Sequence, residues 1–196
     1  MQPALDRFNA SAQRVKSLGG LHSALHSLTT LAVDSSDLLR AQIVLMVSAL
    51  DYFVHEVTVL GMVEIFDGGR TPTAAFSKQR VSGHLLLGAR SAATFEADVR
   101  QRHSVLSFQQ PEKIADAIRL VSEKPLWAEV SLLLGRTEQS VKAELKLIVE
   151  RRNKIAHEAD IDPSYPGARW PISPQDTSTA LMFTEKIANA IFAVVS

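Results

Sequence analysis

Three residue types able to move a proton and hold an anion fall within six positions of one another: Arg152, Asn153 and His157, in the stretch ERRNKIAHE. An imidazole titrates near neutrality and can give or take a proton. A guanidinium keeps its charge and meets phosphate or carboxylate through paired N–H donors. A carboxamide can orient either partner. The placement of the arginine is unusual. On an ideal helix each residue advances about 100°, so Val141, Leu145, Ile148 and Ile155 form one apolar stripe with Arg152 in its middle. Asn153 and His157 share another face, with His157 roughly 140° from Arg152. A second charge, Asp51, falls within the stripe formed by Val44, Val47, Val54 and Thr58. A lone buried charge is costly and an opposite pair is tolerated. Asp51 and Arg152 are therefore expected to pair, within one chain or between two. The plainer alternative is a purely structural ion pair with His157 an ordinary surface histidine.

These residues must be positioned by helices, because apolar spacing is helical almost throughout and no run of strict alternation occurs. The pattern predicts helices over 2–18 and 21–31, broken at Gly19-Gly20. A long one follows over 36–66, started by the Asp34-Ser35-Ser36-Asp37 signal. Weaker helices are expected over 73–87, 91–107 and 111–122, with Pro111 at a helix start. A short one spans 125–134 and stops at Gly135. A strong one runs over 137–159 with Thr137 as its cap, and a last one covers 175–195 beyond the Pro/Gly-rich loop 160–174. The helix over 36–66 is apolar on nearly every face, which places it at the centre or against a partner subunit. The expected fold is an all-α antiparallel bundle, formed by 1–196 as one domain.

The chain has 196 residues, with 21 Lys plus Arg against 21 Asp plus Glu, so any polyanion partner must be held by a local patch. One such patch is the stretch 70–103, with Arg70, Lys78, Arg80, Arg90, Arg100 and Arg102 against only Glu96 and Asp98. Arg80, Arg90, Arg100 and Arg102 are candidate phosphate contacts, the bland reading being a solvated surface. Cysteine is absent, which excludes disulfides and thiolate chemistry. His22 and His26 have a metal-compatible spacing but no visible third ligand, so neither a metal nor a cofactor is expected. No apolar signal core appears at the N-terminus. The uncharged run 41–50 is too short to span a bilayer, and a cytoplasmic chain with no membrane partner is expected.

Spacing alone is weak evidence for the Arg152/His157 pair: with 13 Arg and 6 His in the chain, roughly 0.4 such pairs arise by chance. The wider context adds to it. Arg152-Asn153-Lys154-Ile155-Ala156-His157 resembles the Arg-Asn-x-x-x-His motif of the HEPN superfamily of small helical ribonucleases. The segment 39–52, including Arg40 and Asp51, resembles the central helix of its RiboL-PSP-HEPN branch, which often has an acidic residue near the position of Asp51. The resemblance covers roughly 38–192 and is loosest over 70–135. It implies an up-and-down bundle, a homodimer whose motif helices meet near the two-fold axis, and metal-independent cleavage of RNA. Arg152, Asn153 and His157 would be the catalytic residues, with Asp51 in support. The superfamily includes toxins opposed by cognate antitoxin proteins, phage-defence effectors and inactive members. The competing expectation is a non-catalytic helical module that binds nucleotide or protein partners.

Overall fold

A computed structural model describes residues 1–30, 33–83, 85, 91–165 and 167–196. Among them are seven α-helices: α1 (Gln2–Leu28), α2 (Ser36–Phe66), α3 (Ala92–His103), α4 (Pro111–Ile118), α5 (Leu126–Leu134), α6 (Glu138–His157) and α7 (Pro174–Val195). No strand occurs among the described residues, and the only β-type pairing there is an isolated bridge between Ile161 and Arg169. The fold is all-α, as the apolar spacing requires.

Helix α2 lies at the centre, packed against α1, α3, α4, α6 and α7. Its all-round apolar character follows from that position: Val47, Leu50, Phe53, Val54, Val57 and Met62 point in different directions and are all fully buried. By length and composition α2 and α7 could each cross a membrane. Here their apolar sides face neighbouring helices instead, in one core that also takes in Phe8, Val99, Ile114, Val130, Leu145 and Ile191.

The helix boundaries follow local chemistry. Thr137 Oγ1 accepts the Ser140 N–H at 3.2 Å and Ser173 Oγ accepts the Asp176 N–H at 3.1 Å, each starting a helix. Asp34 Oδ1 accepts the Ser36 N–H at 2.9 Å at the start of α2. Those hydrogen bonds from Ser36, with Arg169 nearby, hold its carboxyl below the usual range. Gly135 closes α5 at φ 62°, a conformation that costs glycine little. Two expectations change. Helix α1 continues unbroken through Gly19-Gly20 because the buried Gln42 side chain packs there and donates to Val15 O at 3.0 Å. A Cβ on Gly19 would lie 3.0 Å from Gln42 Nε2, so packing against α2 outweighs a propensity cost of about 1 kcal/mol per glycine. Of the helix expected over 73–87, the described residues show a 3₁₀ turn at Phe76–Lys78, pinned by Thr73, whose hydroxyl donates to Leu120 O, and a helical Leu85, while 84, 86 and 87 lie outside the described residues.

The motif end of α6 is tied to the start of α2 by a buried ionic cluster. Asp160 is 1 % exposed, and its Oδ2 accepts from Arg40 Nε at 2.7 Å and from Arg151 Nη2 at 2.8 Å. Both arginines also donate to the carbonyl of Trp170, at 2.9 and 3.2 Å, and Arg40 Nη1 donates to Ser36 Oγ. The chain reaches this position through two consecutive left-handed residues, Ala159 (φ 52°) and Asp160 (φ 58°). Such backbone costs on the order of 1 kcal/mol or more per non-glycine residue. In return, the N–H groups of Glu158 and Asp160 both reach Lys154 O at 3.0 Å and close the last turn of α6. Burial lowers the pKa of Arg151; Asp160 opposes that effect and Arg40 adds to it. Removing the carboxylate strands two guanidinium groups together. Asp160→Ala is therefore expected to lower the unfolding free energy by about 3 kcal/mol in urea titration, the typical cost of breaking a buried pair. A cost below about 1 kcal/mol would mean that both arginines escape to water.

Candidate functional site

The last two turns of α6 present Arg152, Asn153 and His157 in distinct environments. Arg152 lies on the side of the helix that carries the buried Val141, Leu145 and Ile148. It is half-buried and its Nη1 donates to Asn153 Oδ1 at 3.0 Å. Its Nε is shielded from solvent and has no hydrogen-bond partner, which leaves one donor of a charged group unmet. His157 is the final residue of α6, exposed, and without a hydrogen bond or ion pair among the described residues. The structure thus hydrogen-bonds Arg152 to Asn153 and leaves His157, one turn beyond Asn153, without a hydrogen bond to either. Asn153 steadies the arginine within the chain rather than the histidine.

The expected Asp51–Arg152 pair does not form within the chain. Asp51 Oδ1 accepts the Phe108 N–H at 2.6 Å and Oδ2 accepts from Gln109 Nε2 at 2.8 Å, while His55 Nε2 lies 3.6 Å from Oδ1. The reason is axial. The start of α2 meets the end of α6, through Arg40 and Asp160, so the two helices run in opposite directions. Asp51 is eleven residues past Arg40. At 1.5 Å per residue that is about 16 Å farther from the motif. Asp51 instead holds the connection between α3 and α4 onto α2, beside a histidine cluster in which the His55 ring packs tilted against Phe108 (4.4 Å between ring centroids) and His103 (6.3 Å).

Three of the six cations of the basic stretch, Arg70, Arg100 and Arg102, are neutralised by carboxylates. Arg100 binds Glu56 and Glu96, and those hydrogen bonds, Glu56 first, raise its pKa further. Arg102 Nε donates to Asp98 at 2.9 Å, and Arg70 Nε to Glu64 at 3.1 Å. Arg80 remains exposed without an ion pair among the described residues. Arg90 lies outside the described residues. Arg100 and Arg102 therefore bind the fold's own carboxylates rather than offering an open phosphate track.

Sequence reasoning missed the cations that do surround the motif. Arg40 and Arg151 flank it through Asp160. Lys154 places its Nζ 4.7 Å from the centre of the Trp170 indole, a cation–π contact worth about 0.5–1 kcal/mol at an exposed position. The available signal was the pair of acidic residues Asp160 and Asp162 directly after a helix end rich in arginine. Beside the cluster, an apolar groove of about 380 Å³ runs between α6 and the start of α7, lined by Ile43, Leu147, Ile148, Arg151, Pro171 and Ala180. Leu147 on its rim is 65 % exposed. Elsewhere His22 and His26 stack at 6.1 Å, and no group of three metal-binding side chains occurs among the described residues.

The RiboL-PSP-HEPN family model matches residues 9–196. The chain belongs to the RiboL-PSP-HEPN family. The match spans α1 to α7 and so includes both α2 and the motif helix, the two elements joined by the Arg40–Asp160–Arg151 cluster. No curated protein and no solved structure matches the chain. Membership brings a helical HEPN module, of a kind that is often a ribonuclease.

Two outcomes follow from this geometry. Asp51 and Arg152 make no shared contact, so Asp51→Asn and Arg152→Met are expected to be additive within about 0.5 kcal/mol in a double-mutant cycle of urea unfolding. A coupling above about 1 kcal/mol would contradict their separation. His103 is 5 % exposed with Nδ1 unpartnered. Burial first, then His55 and Arg102, push its pKa down to about 4 from 6.5. The unfolded chain therefore binds the proton more readily than the folded one. The stability that neutral His103 contributes is complete above about pH 6.5 and is lost as pH falls towards about 4, by on the order of 3 kcal/mol. His103→Phe should flatten that part of the stability–pH curve relative to wild type; an unchanged curve would show that His103 stays hydrated.

Proposed function

We propose that the protein is a HEPN-type endoribonuclease that cuts RNA at a site shared by two copies of the chain. The observation that carries this reading is a half-buried Arg152 with an unmet donor, just over one turn before an exposed His157 on the same helix. RNA brings its own nucleophile, so the protein need not activate a water through a metal. An imidazole takes the proton from the 2′-hydroxyl, the 2′-oxygen attacks the adjacent phosphorus, and the bond from phosphorus to the 5′-oxygen breaks. A second imidazole protonates that oxygen. The products are a 2′,3′-cyclic phosphate and a free 5′-hydroxyl. Arg152 meets the charge that builds on the phosphoryl oxygens, and Asn153 keeps its guanidinium aligned.

One chain supplies one imidazole, set about 140° around the helix from the arginine. Two motif helices facing each other across a two-fold axis supply both imidazoles and both guanidinium groups. The exposed Leu147 on α6 and Leu45 and Tyr52 on α2 are apolar surface that such a dimer would cover. The biological role we assign is that of a cytoplasmic toxin or phage-defence effector, restrained by a cognate antitoxin protein where it acts as a toxin.

The same geometry gives the second reading its one support. Within the chain the guanidinium donates to Asn153 and makes no hydrogen bond to His157 among the described residues, as in a module that binds nucleotide or protein without cutting. Incubation with total RNA in EDTA separates the two. Wild-type protein should cleave and leave cyclic-phosphate ends. His157→Ala and Arg152→Ala should each reduce the rate at least about 100-fold with unchanged helical circular dichroism, the range in which acid–base groups act. Light scattering should give about twice 21.4 kDa. Cleavage that disappears on chelation, or persists in His157→Ala, rules the proposal out.

A further inference from the structure

The two tryptophans of the chain are used differently. Trp127 is buried in α5 and its indole N–H donates to Pro111 O at 2.9 Å. Trp170 lies in the loop between α6 and α7, is only half-buried, and its indole N–H has no hydrogen bond among the described residues. Its backbone, in contrast, is held at both ends. The N–H donates to Asp160 O at 2.8 Å, and the carbonyl accepts from Arg40 at 2.9 Å and Arg151 at 3.2 Å. This clamp keeps an amphipathic ring at the surface, where it covers Lys154 instead of filling the core. Lys154 and His157 are three apart on α6 and share a side of it, so the ring sits about one turn from the motif histidine. Tyr165, in the same loop, is 69 % exposed.

We propose that Trp170 and Lys154 form a subsite for one base of single-stranded RNA beside His157. This rests on the ribonuclease reading above and names the part of the substrate that the chain grips. An aromatic ring stacks on any base that is not already stacked in a duplex, so the subsite selects unpaired RNA. In the absence of RNA the Lys154 ammonium covers the ring. When a base arrives, the ammonium moves to the adjacent phosphate, exchanging a weak cation–π contact for stacking plus charge pairing.

The test uses a single-stranded oligoribonucleotide as substrate and its all-2′-deoxy form, which lacks the nucleophile, as a binding probe. Binding of the probe should quench tryptophan fluorescence in wild type, and the quench should vanish in Trp170→Phe, which keeps only the buried Trp127. Trp170→Ala should raise KM, and Kd for the probe by fluorescence anisotropy, about tenfold, with kcat within about twofold. Trp170→Phe should recover most of the loss, whereas Trp170→Leu should not, although it still packs against the Lys154 stem. Lys154→Gln should reduce the slope of log K against log salt by about 0.7. If Trp170→Leu behaves as Trp170→Phe does, the ring is structural and the subsite is refuted. The same holds if wild type cleaves and Trp170→Ala leaves KM unchanged, with the ribonuclease reading intact. A wild type that neither cleaves the substrate nor binds the probe overturns both.

Discussion

One buried carboxylate, Asp160, carries the geometry of the motif end of this protein. It neutralises Arg40 from the start of α2 and Arg151 from α6, and its backbone groups hold Lys154 O and the Trp170 N–H. Without it the end of α6, the loop beyond and the start of α2 would share only the carbonyl of Trp170, with two guanidinium groups left beside each other. The cost is visible in two left-handed residues and in a carboxylate oxygen, Oδ1, that is buried without a partner. Buried ion pairs rarely add much net stability over an apolar replacement. Their use is to permit one arrangement, and here the arrangement is the direction in which the motif helix leaves the bundle.

That constraint also sorts the two adjacent arginines. Arg151 points toward the loop and is absorbed by Asp160; Arg152 points along the apolar stripe and finds only the amide of Asn153. A guanidinium with a full complement of carboxylate bonds is a poor ligand for phosphate. One that is half-buried, charged and short of a partner is a good one. The division of labour between neighbours in sequence comes from a rotation of about 100° per residue on a helix whose one side meets carboxylate and whose other side does not.

Charge elsewhere follows the same economy. Glu56, almost fully buried on α2, takes Arg7 from α1 and Arg100 from α3. Asp51 takes the backbone of Phe108. The buried Glu56 and the partly buried Asp51 each stitch a neighbouring element to the central helix, which explains why a helix so apolar still carries charge. Arg70, Arg100 and Arg102 of the basic segment between α2 and α4 are therefore internal wiring, and near the motif Arg152 and Lys154 have no ion pair among the described residues.

The sequence by itself determined what depends on neighbours along the chain. The bounds of α2, the Thr137 cap, the Gly135 stop and the position of Arg152, Asn153 and His157 on the last turns of α6 were all legible, because caps, left-handed glycines and a 3.6-residue period act over a few residues. The motif and the central helix were also enough to point to the family. What only the tertiary structure decided is which charges meet. Helical periodicity gives the angle of a side chain about its axis but neither the direction nor the axial offset of a helix against its neighbour. Asp51 and Arg152 both face inward, yet α2 and α6 run opposite ways and set them about 16 Å apart along the axis. Asp160 sits in a loop that periodicity does not describe, and it became the partner only when Arg40, more than a hundred residues earlier, was brought to it. Gly19-Gly20 read as a break for the same reason: local propensity opposed the helix, and Gln42 on another element overruled it.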